Sequence, residues 1–257
     1  MISAGAASSR LTEEVTMKKR VVLTREAPLN DELAAALRGQ ARVRVVELTE
    51  TEFRLPTLVA AELSERPLRS KYQTVAVTSA RAAPYAVLAL SFAAPDAVLA
   101  AVGKSTLQRL GAEGALKNDR VISVPDESNA AALGELIDRG PVLALTADSP
   151  RPELRAAVSE KGLVYDSVVC YSTVQVMPTR AQRRRLHRAH VVVIAAPSAW
   201  RVARLDVNER ATIVTLGVST ASEVRRDHPR VRIANSTDMA DVIREVLDAP
   251  SRHVDEP

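Results

Sequence analysis

Short apolar runs alternate with polar loops and amphipathic stretches along nearly the whole chain. Residues 20–24 (RVVLT), 43–48, 72–78 (YQTVAVT), 98–102, 120–124, 190–195 (HVVVIA), 212–216 and 231–234 are continuous rather than alternating in hydrophobicity. That is the pattern of parallel strands covered on both faces. Between them, 32–38, 58–65, 82–90, 106–110, 130–138, 180–188, 199–205, 217–226 and 239–247 read as helices. Asn30 or Asp31 is placed to cap the first helix, Gly39 and Gly162 to end helices, and Pro28 to punctuate a loop. The segment 49–56 (TETEFRLP) has no regular pattern and contains a proline, which predicts a linker. Strand and helix in uninterrupted alternation are the signature of a doubly wound α/β architecture.

The stretch 141–176 organises the rest. It opens as a buried strand (PVLALT), breaks at Asp148-Ser149-Pro150, reads as an amphipathic helix over 152–160, stops at Gly162 and resumes as an apolar run over 164–176. Strand, loop, helix and strand make a βαβ unit, whose parallel strands need a helical crossover. The second run is long enough to leave one domain and enter another, and it carries Cys170 and Tyr171.

Internal similarities sharpen the picture. VAVTSARAAPYAVLAL (75–90) resembles VVIAAPSAWRVARL (192–205), and AVGKSTLQRL (101–110) resembles TLGVSTASEVRR (215–226). VISVPDESNAAALGELI (121–137) resembles RIANSTDMADVIREVL (232–247), and LTREAPLNDELAAAL (23–37) resembles LTADSPRPELRAAV (145–158). The copies are not in tandem, because LTADSP precedes the second VVIAAPS block. Two similar doubly wound parallel-sheet domains, one inserted in the other, explain that order. Domain one is then 18–48 plus 175–250 and domain two 54–165, with 49–53 and 166–174 as extended interdomain linkers. Residues 1–17 read as a disordered Ala/Ser extension and 251–257 as a loose tail. Two such domains on paired linkers predict a cleft, a favoured place for a ligand.

Composition narrows the function. The chain of 257 residues is long enough for two cores, and aromatics at 3% leave Ala, Val and Leu to fill them. The single cysteine, Cys170, lies inside an apolar strand, which predicts a buried thiol, no disulfide within the chain and a reducing compartment. Thirty-five basic against thirty-one acidic residues give a net charge of +4, a mild excess that favours an anionic ligand. No apolar run approaches the ~20 residues of a membrane span, and no signal-peptide core is present. The expectation is a cytoplasmic monomer without a membrane partner. No GxGxxG, Walker, GxSxG or CxxC pattern occurs, so nucleotide, hydrolase and redox readings lack a motif. His187 and His190 sit among arginines without carboxylate or cysteine partners, which argues against a metal. The run from Arg183 to Arg188 reads as a solvated helix face, and scarce aromatics argue against nucleic acid.

The order and spacing of VVLTRE, AVTSARAA, AVGKST, SPRPELRAAVSEKGLVYDSVVCY, VVVIAAPSA, TLGVSTASEV and IANSTDMADVIREVL across residues 18–248 resemble the uroporphyrinogen-III synthase family. The resemblance implies two α/β domains joined by a two-stranded linker. It implies conversion of the linear tetrapyrrole hydroxymethylbilane to uroporphyrinogen III, with water lost from ring A and ring D inverted, and with no cofactor or metal. Tyr171 matches the family's conserved tyrosine, the candidate for assisting hydroxyl departure, and a phenol with a reference pKa near ~10 is protonated at neutral pH. The substrate carries eight carboxylates, which backbone amides at helix N-termini suit. The expected receivers are Ser79, Arg81, Lys104, Thr106, Ser198 and Thr220 at loop-to-helix turns, with Thr24 and Arg25 after the first strand. Thr106 and Thr220 are equally placed as helix caps. Hand-over of substrate from hydroxymethylbilane synthase is also implied. Two positions depart from the family: Ala195-Ala196 stands where a Thr-Ser pair is common, and Arg81 where Asn is frequent. These departures keep open a second class, a non-catalytic tetrapyrrole- or polyanion-binding protein on the same fold.

Overall fold

The structure, a computed structural model, describes residues 18–116, 122–127, 129–150, 152–235 and 239–250. In chain order the first elements are β1 (Lys19–Leu23), α1 (Ala27–Ala36), β2 (Ala41–Val45), β3 (Thr49–Phe53), α2 (Pro56–Ser64) and β4 (Tyr72–Val77). A 3₁₀ helix (Ala80–Tyr85) then runs into α3 (Ala86–Leu90), followed by β5 (Ala93–Ala101), α4 (Lys104–Ala112), β6 (Ile122–Ser123) and α5 (Ala130–Leu136). Next come β7 (Val142–Ala147), α6 (Glu153–Glu160), β8 (Tyr165–Gln175), α7 (Arg180–His187) and β9 (Val191–Ile194). The last are α8 (Pro197–Ala203), β10 (Thr212–Thr215), α9 (Val218–Val224), β11 (Val231–Ile233) and α10 (Met239–Asp248).

The strands form a five-stranded parallel sheet, ordered β11-β10-β9-β1-β2, and a six-stranded sheet, ordered β3-β8-β7-β4-β5-β6. Contacts gather the chain into two compact units: residues up to Glu50 with those from Gln175 onward, and Thr51–Val174. The segments 49–53 and 166–174 lie in β3 and β8, neighbouring strands at the edge of the six-stranded sheet, and the Arg54 N–H donates to the Cys170 carbonyl at 2.9 Å.

The central strands of both sheets are buried on both faces, as their apolar runs require. In β1, Val21 and Leu23 join Leu33, Val191 and Val214 on one side, while Val22 joins Val192, Ile194 and Trp200 on the other. In the second unit Val75, Val77, Leu143 and Leu145 face one cluster, and Ala76, Ala144, Leu133, Leu154 and Val158 the opposite one. Helices α5 and α6 approach closely because Gly134 has no side chain: a Cβ there would lie 2.4 Å from Ala157 Cβ. Lys161 Nζ then satisfies the open C-terminal turn of α5, donating to the carbonyls of Gly134 (2.9 Å), Glu135 (2.6 Å) and Ile137 (3.0 Å).

Several boundaries differ from expectation for local reasons. Helix α1 starts at Ala27, with Pro28 in its first turn, where a missing N–H costs nothing. Asn30 is therefore no cap; it is buried, and its side-chain amide donates to the Arg25 carbonyl. The expected helix 82–90 divides, because Pro84 lies inside a 3₁₀ segment ahead of α3. Strand β5 begins at Ala93 rather than 98, across a register shift against β4 that accommodates Pro95. Residues 120 and 121 of the expected 120–124 strand, the 1–17 extension and the 251–257 tail lie outside the described residues. No helix among the described residues is long and apolar enough to cross a membrane.

Candidate active site

Parallel strands end their loops on one edge of a sheet, where ligands of doubly wound folds bind. The candidate residues fall on two such edges, one in each unit. Tyr171, Ser79, Arg81, Lys104 and Thr106 belong to the 51–174 unit; Tyr171 lies on β8, and the others follow the adjacent strands β4 and β5, with β7 between β8 and β4. Thr24, Arg25, Ser198 and Thr220 belong to the other unit, after β1, β9 and β10.

Tyr171 is placed by an irregularity. Val169 pairs with Thr146, but the next pair is Ala147 with Tyr171, so Cys170 is an extra residue, a β-bulge. Bulges turn the following side chain relative to a regular strand. Tyr171 is 6% exposed and tilted against Phe53, with ring centroids 6.3 Å apart. It lines a pocket of about 210 Å³ together with Thr78, Thr146, Ser149, Pro150 and Tyr165. The apolar side of the pocket is Ala130, Ala147 and Leu154, and none of its described lining residues is charged. The threonines are held as donors: Thr78 Oγ1 bonds the Leu145 carbonyl at 2.8 Å and Thr146 Oγ1 the Val168 carbonyl at 3.4 Å.

The chain's four tyrosines divide into two pairs. Tyr72 donates to Asp166 Oδ2 at 2.6 Å, and Tyr85 donates to the Arg54 carbonyl, so both hydroxyls are structural. The hydroxyls of Tyr165 and Tyr171 make no hydrogen bond to any described residue, and both belong to the pocket. Arg155 stacks 4.9 Å from the Tyr165 ring centroid; burial nevertheless pushes the Tyr165 phenol above its ordinary value.

Of the candidate residues only Tyr171 is among the described lining of this pocket; Ser79 caps the 3₁₀ helix, its Oγ accepting from the Arg81 N–H at 3.2 Å, and Arg81 is half-buried. Lys104 is exposed at the first residue of α4, and Thr106 is buried one turn in. In the other unit Thr24 Oγ1 donates to the Val193 carbonyl at 2.7 Å, and Thr220 Oγ1 to the Ala195 carbonyl at 3.4 Å. Ser198 and Arg25 are half-buried. Neither Thr106 nor Thr220 is a cap: Gly103 and Gly217 hold those positions. The buried threonines tie one strand end to the next, leaving lone pairs rather than protons for a ligand.

A charged chain behind β8 escaped the sequence reading. Arg54 binds Glu62 at 2.8 Å, Glu62 also binds Arg66, and Arg66 binds Asp166. The same arginines reach the strand itself, Arg54 to the Val169 carbonyl at 2.9 Å and Arg66 to the Ser167 carbonyl at 2.8 Å. Burial raises the Asp166 carboxyl, but hydrogen bonds from Arg66 and Tyr72 outweigh it and hold the group below the usual range. Glu62 is likewise lowered, because Arg54 and Arg66 overcome its desolvation. Burial pushes the Cys170 thiol up to about 12. Of these residues only Cys170 stood out from sequence. Arg66 and Asp166 lie 100 residues apart, so no local pattern announces their pairing, whereas Glu62 and Arg66 stand at the i,i+4 spacing of one helix face. Among the described residues no group of three or more His, Cys, Asp or Glu side chains is placed to hold a metal.

The HEM4 family, described as uroporphyrinogen-III synthase HemD, matches residues 31–244. Among solved structures, the uroporphyrinogen-III synthetase of Helicobacter pylori aligns with a TM-score of 0.60 at 15% identity, over 89% of this chain and 98% of that one. A mutant uroporphyrinogen III synthase from the extremely thermophilic bacterium Thermus thermophilus aligns with a TM-score of 0.56 at 15% identity, over 88% and 96%. At these identities the structural likeness is one of fold. No curated protein matches the sequence.

Proposed function

The chain belongs to the uroporphyrinogen-III synthase family, and from that premise we propose that Tyr171 delivers the proton with which the substrate hydroxyl leaves. The family reaction closes hydroxymethylbilane to uroporphyrinogen III, inverting ring D and releasing water, a carbon–oxygen lyase step of haem biosynthesis. A hydroxyl is a poor leaving group until its oxygen gains a proton, and a positioned acid typically contributes ~10²–10⁴-fold to such a step. The observation that carries the assignment is that Tyr171, displaced by the register shift at Cys170, lines the pocket with a hydroxyl that has no partner among the described residues. Tyr165 supplies the second hydroxyl of the pocket.

In this reading the substrate's carboxylates are received by loop amides and by Arg25, Arg81 and Lys104. Ser79 and Thr106 frame the receiving loops of the 51–174 unit, and Thr24, Ser198 and Thr220 those of the other unit. Their position at the carboxyl ends of parallel strands supports it. We place the protein in the cytoplasm as a monomer, taking its substrate from hydroxymethylbilane synthase, since the linear tetrapyrrole also closes spontaneously. Steady-state kinetics of Tyr171→Phe test the assignment: a fall in kcat with an unchanged fold supports it, and unchanged kcat removes Tyr171 from the chemistry.

A further inference from the structure

Helix α7 breaks the rule that its neighbours follow. It packs on the sheet through Leu186, its one buried residue, and is fixed at its start by a capping box between Thr179 and Gln182. Positions 181, 184, 185 and 188 have the i, i+3, i+4, i+7 spacing that normally fills a core. Here three of them are Arg184, Arg185 and Arg188, lining a groove of about 290 Å³. The facing sheet surface is no less basic. Lys19↔Ala41, Arg20↔Arg42 and Val22↔Arg44 pair in the parallel β1–β2 ladder, so Arg20, Arg42 and Arg44 share the Val22 face and line the same groove. Six arginines therefore line one groove, together with Val22 and Ala181. Among the described residues Arg42, Arg44, Arg184, Arg185 and Arg188 have no ion pair, and Arg20 Nε is spent on the Arg188 carbonyl at 2.6 Å. Crowding like charge around a groove opposes folding unless an anion occupies it.

We propose that this groove is a binding site for a compact oligophosphate, separate from the pocket at Tyr171. Guanidinium forks recognise carboxylate and phosphate alike, but a terminal phosphate brings about −1.5 to −2 charges and three acceptor oxygens in the space of one group. That charge density suits six arginines in so small a volume. Among the described residues no aromatic side chain lines the groove, so none is placed there for a nucleobase to stack on. An inorganic oligophosphate and the phosphate tail of a nucleotide are thus bound alike.

The test is titration calorimetry of the full chain with tripolyphosphate at physiological ionic strength, repeated with a nucleoside triphosphate, a single-stranded oligonucleotide and a glutamate-rich peptide. Binding is expected at a single saturable site, equal within a few-fold for the two triphosphates. Arg184→Ala/Arg188→Ala on the helix wall and Arg42→Ala/Arg44→Ala on the strand wall each weaken it about tenfold or more. Arg226→Ala, which removes an exposed arginine paired with Glu223, leaves it unchanged. The melting temperature of the ligand-free variants does not fall, since charge crowding is relieved. Should one pair of substitutions prevent folding, the opposite wall carries the comparison. Several weak sites per chain, or equal weakening by Arg226→Ala, would reduce the groove to diffuse surface charge. Tenfold tighter binding of the oligonucleotide or the peptide would assign the surface to a macromolecule and overturn the oligophosphate.

Discussion

Tyr171 is the register partner of Ala147, although Val169 is the partner of Thr146, and the residue left over between the two pairs is Cys170. The bulge places the Tyr171 phenol in the pocket that also holds Tyr165. Tyr171→Phe keeps the ring and its contact with Phe53 and removes only the hydroxyl, so turnover at saturating substrate is expected to drop ~10²–10⁴-fold with little change in Tm. Tyr165→Phe is expected to cost less than Tyr171→Phe in the same assay. The reverse ranking would make Tyr165 the acid.

The Arg54–Glu62–Arg66–Asp166 chain holds the strand from which Tyr171 projects. Asp166→Asn leaves Glu62 as the one carboxylate on Arg66, which keeps its bond to the Ser167 carbonyl, and weakens the bond to Tyr72; with both partners partly exposed, the expected loss is roughly 1–3 kcal/mol, measured by urea unfolding. The folded-state pKa values of Asp166 and Glu62 lie below their unfolded values. Their contribution is therefore present above the ordinary carboxylate range near ~4 and is lost as pH falls through it toward the lowered values. Stability curves of wild type and Asp166→Asn should converge on acidification; parallel curves would detach the pair from acid stability.

Alkaline loss has a separate source. The Cys170 thiol, pushed up from 9.0 to about 12 by burial, stays protonated in the folded chain while it ionises in the unfolded one. Its contribution is complete below the unfolded value and disappears as pH rises through the folded one. Tyr72, raised above 10.0 by burial and by Asp166, adds its share only at higher pH. Cys170→Ala should flatten the fall in unfolding free energy between pH 9 and 10, the interval between the ordinary thiol and phenol values of 9.0 and 10.0.

Gly134→Ala should destabilise although alanine is the better helix former by ~1 kcal/mol. The new methyl meets Ala157 Cβ, which is fixed on α6, at 2.4 Å. Overpacking of this kind typically costs ~1–3 kcal/mol. The double variant Gly134→Ala/Ala157→Gly should recover most of the loss in thermal unfolding, which a simple propensity effect would not allow.

Much of this was legible in the chain because buried parallel strands write themselves as unbroken apolar runs, and Val21, Val22 and Leu23 behave as that rule requires. The internal repeats matched LTREAP with LTADSP, making Thr24 and Thr146 equivalent. Both hydroxyls indeed donate to a neighbouring strand's carbonyl, at 2.7 and 3.4 Å. Thr146 lines the pocket, and its equivalence to Thr24 in the repeat is the sequence signal that marks it. Tyr165 was illegible. Tyr165 and Tyr171, six residues apart, would share one face of a regular strand; the extra residue in VVCY, which nothing in the sequence marks, sets them against opposite clusters, although both line the pocket. Arg66 and Asp166 meet through the fold alone, so their pairing has no sequence signature.

The most direct measurement is the isomer composition of product from freshly generated hydroxymethylbilane, with wild-type chain, with Tyr171→Phe and without protein. Spontaneous closure gives the type I isomer, which serves as the background. Wild type should shift the product to type III, and Tyr171→Phe should return it most of the way to type I while remaining folded. Type I product from folded wild type would contradict the synthase reading and leave a binding protein on this fold; type III product undiminished by Tyr171→Phe would keep the enzyme and discard its proposed acid.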